Sequence, residues 1–277
     1  MTVLIVGGSG FLGTELIRQA TAAGLPIAAT YAHTHRDTPG AEWHHLDLRD
    51  LARVDAVMAE VRPRLVVNAS SGGADWAVTA TGPVHLATIV AKYGARMVQV
   101  SSDAVFSGAD IHYDESALPD PITPYGAAKA AAETGILAVI PSAVIARTSL
   151  IIGHGRSVHE RLVHQLATGD VEGALFTDDI RCPVHVDDLA AALLELAGSD
   201  AAGIHHLGGA DALSRHELGT LIAQRDGLDP SRLPEGRRAD SALPGALDVR
   251  LRSPATQLQL RTELRGAQDF LTLRSTE

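Results

Sequence analysis

Short aliphatic runs alternate with helix-like segments along the first half of the chain. Val3–Val6 is continuously apolar, which suits a buried strand. Phe11–Ala23 reads as a helix, stopped by Gly24 with Pro26 beyond it. Ile27–Tyr31 predicts a second strand. Leu51–Val61 predicts a helix that Asp50 can cap, with Pro63 behind it. Leu65–Val67 predicts a strand, and Pro83–Tyr93 a helix closed by Gly94. Met97–Val100, Tyr125–Leu137 and Ala143–Ala146 continue as strand, helix and strand. Strands with no polar face, separated by helices, predict an α/β fold whose parallel sheet is covered on both faces. Right-handed crossovers then make the sheet doubly wound.

After about residue 150 the rhythm loosens. Asp187–Ala197 predicts a helix, Gly203–Leu207 a strand and His216–Arg225 a helix, before Pro230, Pro234, Pro244 and Pro254 among polar residues. The expected division is a sheet domain of residues 1–150 that also receives about 173–209. Residues 151–172 and 210–277 then form a small C-terminal lobe. Such a lobe sits at the sheet's C-terminal edge, where open α/β folds bind ligands.

The net charge of −10 opposes a nucleic-acid partner, because phosphate backbones reward clustered Lys and Arg. A small phosphate-bearing ligand stays open, since it needs only local donors. The single cysteine, Cys182, forms no intrachain disulfide, which fits a reducing compartment. No basic leader precedes Val3, and no apolar stretch approaches the roughly 20 residues of a membrane helix. A cytoplasmic protein without a membrane partner is expected.

Gly7-Gly8-Ser9-Gly10-Phe11-Leu12-Gly13 follows the first strand and opens the first helix. Gly7, Gly10 and Gly13 are spaced for a tight turn, close approach of backbone to a pyrophosphate, and close helix–strand packing. The helix start adds unpaired N–H donors and the positive end of its dipole. This is the fingerprint of a Rossmann-type NAD(P) site, with Gly7, Ser9, Gly10, Phe11, Leu12 and Gly13 facing the cofactor. An acidic residue for the ribose 2′-hydroxyl is expected after the second strand, yet Thr30-Tyr31-Ala32-His33-Thr34-His35-Arg36 offers none. Arg36 or the histidines His33 and His35 can instead face a 2′-phosphate, which favours NADPH over NADH, with Tyr31 beside the cofactor; a plain solvated loop is the alternative.

Tyr125 and Lys129 stand four residues apart at the start of a helix, on one face. An ammonium beside a phenol favours the phenolate and lowers its pKa from about 10. Reduction of a carbonyl needs a proton donor as hydride arrives at carbon. Tyr125 fits that role, and Lys129 fits the roles of tuning it and holding the nicotinamide ribose. Ser101 and Ser102 follow the strand Met97–Val100, where a hydroxyl can bond a substrate carbonyl beside the cofactor.

These motifs, in this order, resemble the extended short-chain dehydrogenase/reductases, and within them the dTDP-4-dehydrorhamnose reductase-like (RmlD-like) sugar-nucleotide proteins. The resemblance runs through Leu46-Asp47-Leu48 after a third strand, Val67-Asn68-Ala69, Val100–Gly108, Tyr113-Asp114-Glu115, Pro124–Lys129, Arg147-Thr148-Ser149, Cys182–Ala190 and Gly203–Gly209. It implies a catalytic triad of Ser102, Tyr125 and Lys129. It implies that Asp47 and Leu48 flank the adenine, and that Asn68, Ala69, Ser70 and Ser101 line the cofactor channel. It implies that Asp103, Val105 and Thr148 border a pocket for a nucleotide-activated 4-keto sugar. Asp47 capping a turn and Asn68 satisfying a strand end are the structural alternatives. An epimerase or dehydratase, or a regulatory subunit like the methionine adenosyltransferase β subunit, uses the same scaffold, and the resemblance admits a homodimer.

No metal is expected. His44-His45 and His205-His206 are adjacent strand residues, which point to opposite faces. Arg232, Arg237, Arg238, Arg250 and Arg252 in the lobe suit a diphosphate or solvent alike.

Overall fold

The computed structural model describes residues 2–35, 38–242 and 244–272. Seven parallel strands form the central sheet: β1 (Val3–Val6), β2 (Ile27–Tyr31), β3 (Ala41–His45), β4 (Leu65–Asn68), β5 (Arg96–Ser102), β6 (Val144–Thr148) and β7 (Gly203–Leu207). Their order is β7-β6-β5-β4-β1-β2-β3. The winding reverses between β1 and β4, which opens a crevice at their carboxyl ends. The alternation of side chains along β1 shows how both faces are filled. Val3 and Ile5 enter one core with Leu16 and Ile17 of α1 (Phe11–Ala22) and Leu189 and Leu193 of a helix at Val186–Ala197. Leu4 and Val6 enter the other. There they meet α2 (Leu51–Val61), α3 (Gly82–Lys92) and α4 (Pro124–Val139) through Met58, Leu86 and Ile136.

The chain leaves the sheet after β6 and returns to it as β7. Around that return lie α5 (Val158–Thr168), α6 (Val186–Ala197) and α7 (Arg215–Arg225). Val163, Leu166, Leu175, Leu218, Ile222 and Leu233 gather α5 and α7 into a core of their own. Two-residue strand pairs tie the later segments back: Ile180–Arg181 to Leu213–Ser214, and Arg250–Leu251 to His112–Tyr113.

Two elements differ from the hydrophobic pattern. β3 (Ala-Glu-Trp-His-His) is an edge strand, so its exposed positions carry polar groups and the aliphatic signal is lost. α5 (Val-His-Glu-Arg-Leu-Val-His-Gln) is amphipathic but histidine-rich; its start is fixed by Ser157 and Glu160 in a reciprocal capping box. β5 also runs two residues further than its aliphatic stretch, so Ser101 and Ser102 belong to the strand. Among the described residues, no helix is long and apolar enough to cross a membrane.

Candidate active site

The glycine loop bridges β1 and α1 at the crevice. Gly7 has φ +81°, and a Cβ there would stand 2.8 Å from the Ser70 backbone nitrogen. A Cβ on Gly13 would stand 2.2 Å from the Gly7 carbonyl oxygen. Both positions therefore need glycine for close backbone packing. Gly10 precedes α1 in an extended conformation with no side-chain cap, so the first N–H groups of the helix keep no side-chain partner. Ser9, Gly10, Phe11 and Leu12 face a cavity of about 920 Å³, opposite Ala69 and Ser70 from the end of β4. A glycine cradle beside an uncapped helix start fits a dinucleotide pyrophosphate.

The remaining expected cofactor residues stand further out. Asn68 is fully buried: its amide donates to Gln99 (2.8 Å), and its oxygen accepts from the Ser70 N–H and hydroxyl. It shapes the strand end rather than the cavity wall. Tyr31 packs against the rings of His35, His45 and Trp43 at 5.0–6.3 Å. The Asp47 carboxylate accepts from the N–H and guanidinium of Arg49, which hold its pKa down, and Leu48 is buried. Arg36 lies outside the described residues.

Tyr125 is set in the first turn of α4 by Pro124 and by Thr123, whose hydroxyl accepts from the Gly126 N–H (3.0 Å). Lys129 follows one turn later, is 4% exposed, and donates to the Val100 carbonyl (3.0 Å). Its nitrogen is 5.9 Å from the Tyr125 ring centre. Here the structure corrects an expectation. Burial pushes the Tyr125 phenol up from its ordinary value, where a lowered one was expected, while the Ser102 and Ser71 hydroxyls pull the other way. Lys129 is itself brought down to about 8 by burial, with Glu133 acting in opposition.

Ser102 faces the same cavity, its hydroxyl donating to Asp103 (3.2 Å). Asp103 also accepts from Ser149 (2.7 Å) and lies 3.8 Å from Arg181. Ser101 contributes to the cavity wall, but its hydroxyl turns away to Glu133 (2.5 Å). Thr148 reaches the wall with its hydroxyl donated to the Leu207 carbonyl. Val105 does not: it is fully buried in a cluster with Phe106 and Tyr113, because the turn after β5 points it inward.

At the lobe end the cavity is lined by Arg156, Arg161, Arg181, Arg215 and Arg238, with Asp179 and His159. Asp179 is 2% exposed and pairs with Arg181 (3.0 Å), Arg215 (3.4 Å) and Arg238 (3.9 Å). Two carboxylates, Asp179 and Asp103, beside five arginines leave a cationic surplus facing the cavity. His159 does not add to it, since burial and Arg215 bring its pKa down to about 4. Of the lobe arginines singled out in the sequence, Arg238 alone lines this cavity; Arg250 is held by Asp248 and Arg237 is mostly exposed. Arg181 and Arg215 carry no motif around them, so sequence reading missed them.

Two groups of described residues bring ligand atoms within 4.8 Å of one another: His154 with His185 and Asp187, and Glu42 with His44 and Glu60. In the second, the two nitrogens of His44 face different carboxylates, at 3.5 and 3.6 Å.

Residues 1–246 match the family described as RmlD substrate binding domain. A dTDP-4-dehydrorhamnose reductase of Streptomyces griseus is 30% identical over 247 residues, covering 83% of this chain and 78% of its own length. The crystal structure of a hypothetical dTDP-4-dehydrorhamnose reductase from Sulfolobus tokodaii superposes with a TM-score of 0.82 at 27% identity, over 96% of this chain and 97% of that one. The fold is also that of a Bacillus anthracis dTDP-4-dehydrorhamnose reductase in complex with NADP, with a TM-score of 0.82 at 22% identity, covering 98% of this chain and 96% of that one.

Proposed function

This chain belongs to the RmlD substrate binding domain family of extended short-chain dehydrogenase/reductases, and from that premise we propose that it reduces the keto group of a nucleotide-activated 4-keto sugar. One observation carries the reading. Tyr125, Lys129 and Ser102 meet on a single cavity whose two ends offer a dinucleotide cradle and a guanidinium cluster. A nicotinamide cofactor, when bound, supplies hydride. The chain's own residues do the rest. Ser102 turns its one hydroxyl proton from Asp103 to the keto oxygen. Tyr125 gives that oxygen its phenolic proton; burial keeps the phenol protonated until the step, at the expense of its acidity. Lys129 lends positive charge from one helical turn away and faces the ribose. Arg215 and Arg238, anchored on Asp179, take the diphosphate of the substrate. Asp103 and Thr148 border the sugar. NADPH is the preferred donor, because no carboxylate follows β2 at the ribose position through Tyr31.

The test is turnover of dTDP- and UDP-linked 4-keto sugars with NADPH and NADH. Net oxidation of the cofactor, faster with NADPH, is expected. Tyr125→Phe then lowers kcat by about 10²–10⁴-fold. Full turnover in that variant overturns the assignment, and cofactor binding without turnover of any ketone favours a regulatory subunit.

A further inference from the structure

Behind the catalytic face lies a buried charge pair that the reaction as drawn does not use. Glu133 is 3% exposed and stands one turn beyond Lys129 on α4, which places Tyr125, Lys129 and Glu133 on one helical stripe. Its carboxylate accepts from both the Nε (3.1 Å) and Nη2 (2.8 Å) atoms of Arg147 on β6, itself 2% exposed. It also accepts from the Ser101 hydroxyl on β5. Three consecutive residues at the end of β5 are thereby fixed. Lys129 holds the Val100 carbonyl, Glu133 holds Ser101, and Asp103 accepts from Ser102.

We propose that Glu133 is a positioning residue of the active site: its carboxylate, locked by Arg147, keeps Lys129 as an ammonium while fixing the strand that presents Ser102. This rests on the reductase reading for its purpose but not for its measurement. Breaking a buried ion pair costs stability, and such a pair is not by itself a source of it. A purely structural anchor explains the hydrogen bonds, yet it gives no reason for a carboxylate one turn from a buried lysine. Among the described residues, the charged or titratable groups beside this stripe include Tyr125 on α4, Arg147 on β6, Asp103 in the turn after β5 and His206 on β7, and α3, which packs on α4, carries the half-buried His85. His206 is neutral, since burial and Arg147 bring it down to about 4. Lys92 of α3 is turned to Asp55 of α2 (2.8 Å). Glu133 acts on Lys129 against its burial.

The chain permits a direct test, because Lys92 and Lys129 are its two lysines. With lysine carrying ¹³C at Cε, two resonances report the two titrations without any substrate. In the wild type Lys129 titrates near 8 and Lys92 above its ordinary value. In Glu133→Gln the Lys129 midpoint falls by about 1 unit, Ser101→Ala leaves it in place, and Glu133→Asp restores most of it. Should Glu133→Gln not fold, the paired change Glu133→Gln with Arg147→Met removes the isolated buried cation and shows the same direction of shift. A Lys129 midpoint within about 0.3 unit of the wild type in Glu133→Gln, or in the paired variant where the single one does not fold, overturns the proposal. That result leaves the reductase reading intact, and absent turnover leaves this titration intact.

Discussion

Lys129 fixes the pH behaviour of the site at the scale of single residues. Its folded pKa lies below its ordinary value, near 8, so the ammonium is present below that pH and lost as pH rises through it. If catalysis needs the ammonium, kcat/KM falls above pH 8; a flat profile from pH 7 to 9.5 rules this out. Lys129→Met flattens the limb and lowers activity at every pH. Arg215 governs the other end of the cavity. Arg215→Ala removes one charge-assisted contact, each such contact being worth about 1.5–3 kcal/mol. KM for the nucleotide sugar then rises roughly 10- to 100-fold, with cofactor affinity unchanged in a binding titration. Equal loss of both affinities means the guanidinium serves the fold and not the substrate.

At the scale of elements, helix starts do most of the positioning. α1 begins uncapped and directs its N–H groups at the cradle, whereas α4 begins with Pro124 and the Thr123 cap, which fix Tyr125 in its first turn. Gly13→Ala pushes a methyl group against the Gly7 carbonyl and abolishes the thermal shift produced by NADPH. A variant that keeps that shift shows the loop relaxing without loss of the site. In the lobe, α5 depends on its capping box, in which the Ser157 hydroxyl accepts from the Glu160 N–H (3.1 Å) and Glu160 also holds Arg225 of α7 (2.7 Å). Ser157→Ala costs about 1 kcal/mol in urea denaturation. The capping pair was present in the sequence, but its histidine-rich helix hid it from a hydrophobic pattern.

Across the whole molecule, buried neutral histidines set the response to acid. His159 and His206 both have folded pKa values near 4, below the ordinary 6.5. The unfolded chain binds their protons first, so their contribution is complete above pH 6.5 and is lost as pH falls towards 4. Each costs up to about 1.4 kcal/mol per pH unit in that window. The free energy of unfolding therefore drops between pH 7 and pH 5, and a constant value means the imidazoles charge without penalty. The same scale explains the site. Strand order alone brings the loop after β1 beside the end of β4, and the return of the chain as β7 carries the lobe arginines over that crevice.

The doubly wound sheet was legible because parallel strands buried on both faces are mostly apolar: Val3–Val6 is aliphatic throughout, and Ile27–Tyr31 and Gly203–Leu207 fall at the bounds read from the sequence although Thr30, His205 and His206 interrupt the pattern. The glycine loop and the Tyr125–Lys129 pair were legible because each spans less than two turns of chain, so spacing in sequence is spacing in space. Tertiary structure alone decided the rest. Asp179 draws together Arg181, Arg215 and Arg238 from segments far apart in sequence, and no local pattern records such a meeting. It also decided which way side chains turn, Val105 into the core and Ser101 towards Glu133, and how deeply the Tyr125 phenol is buried, which raises its pKa.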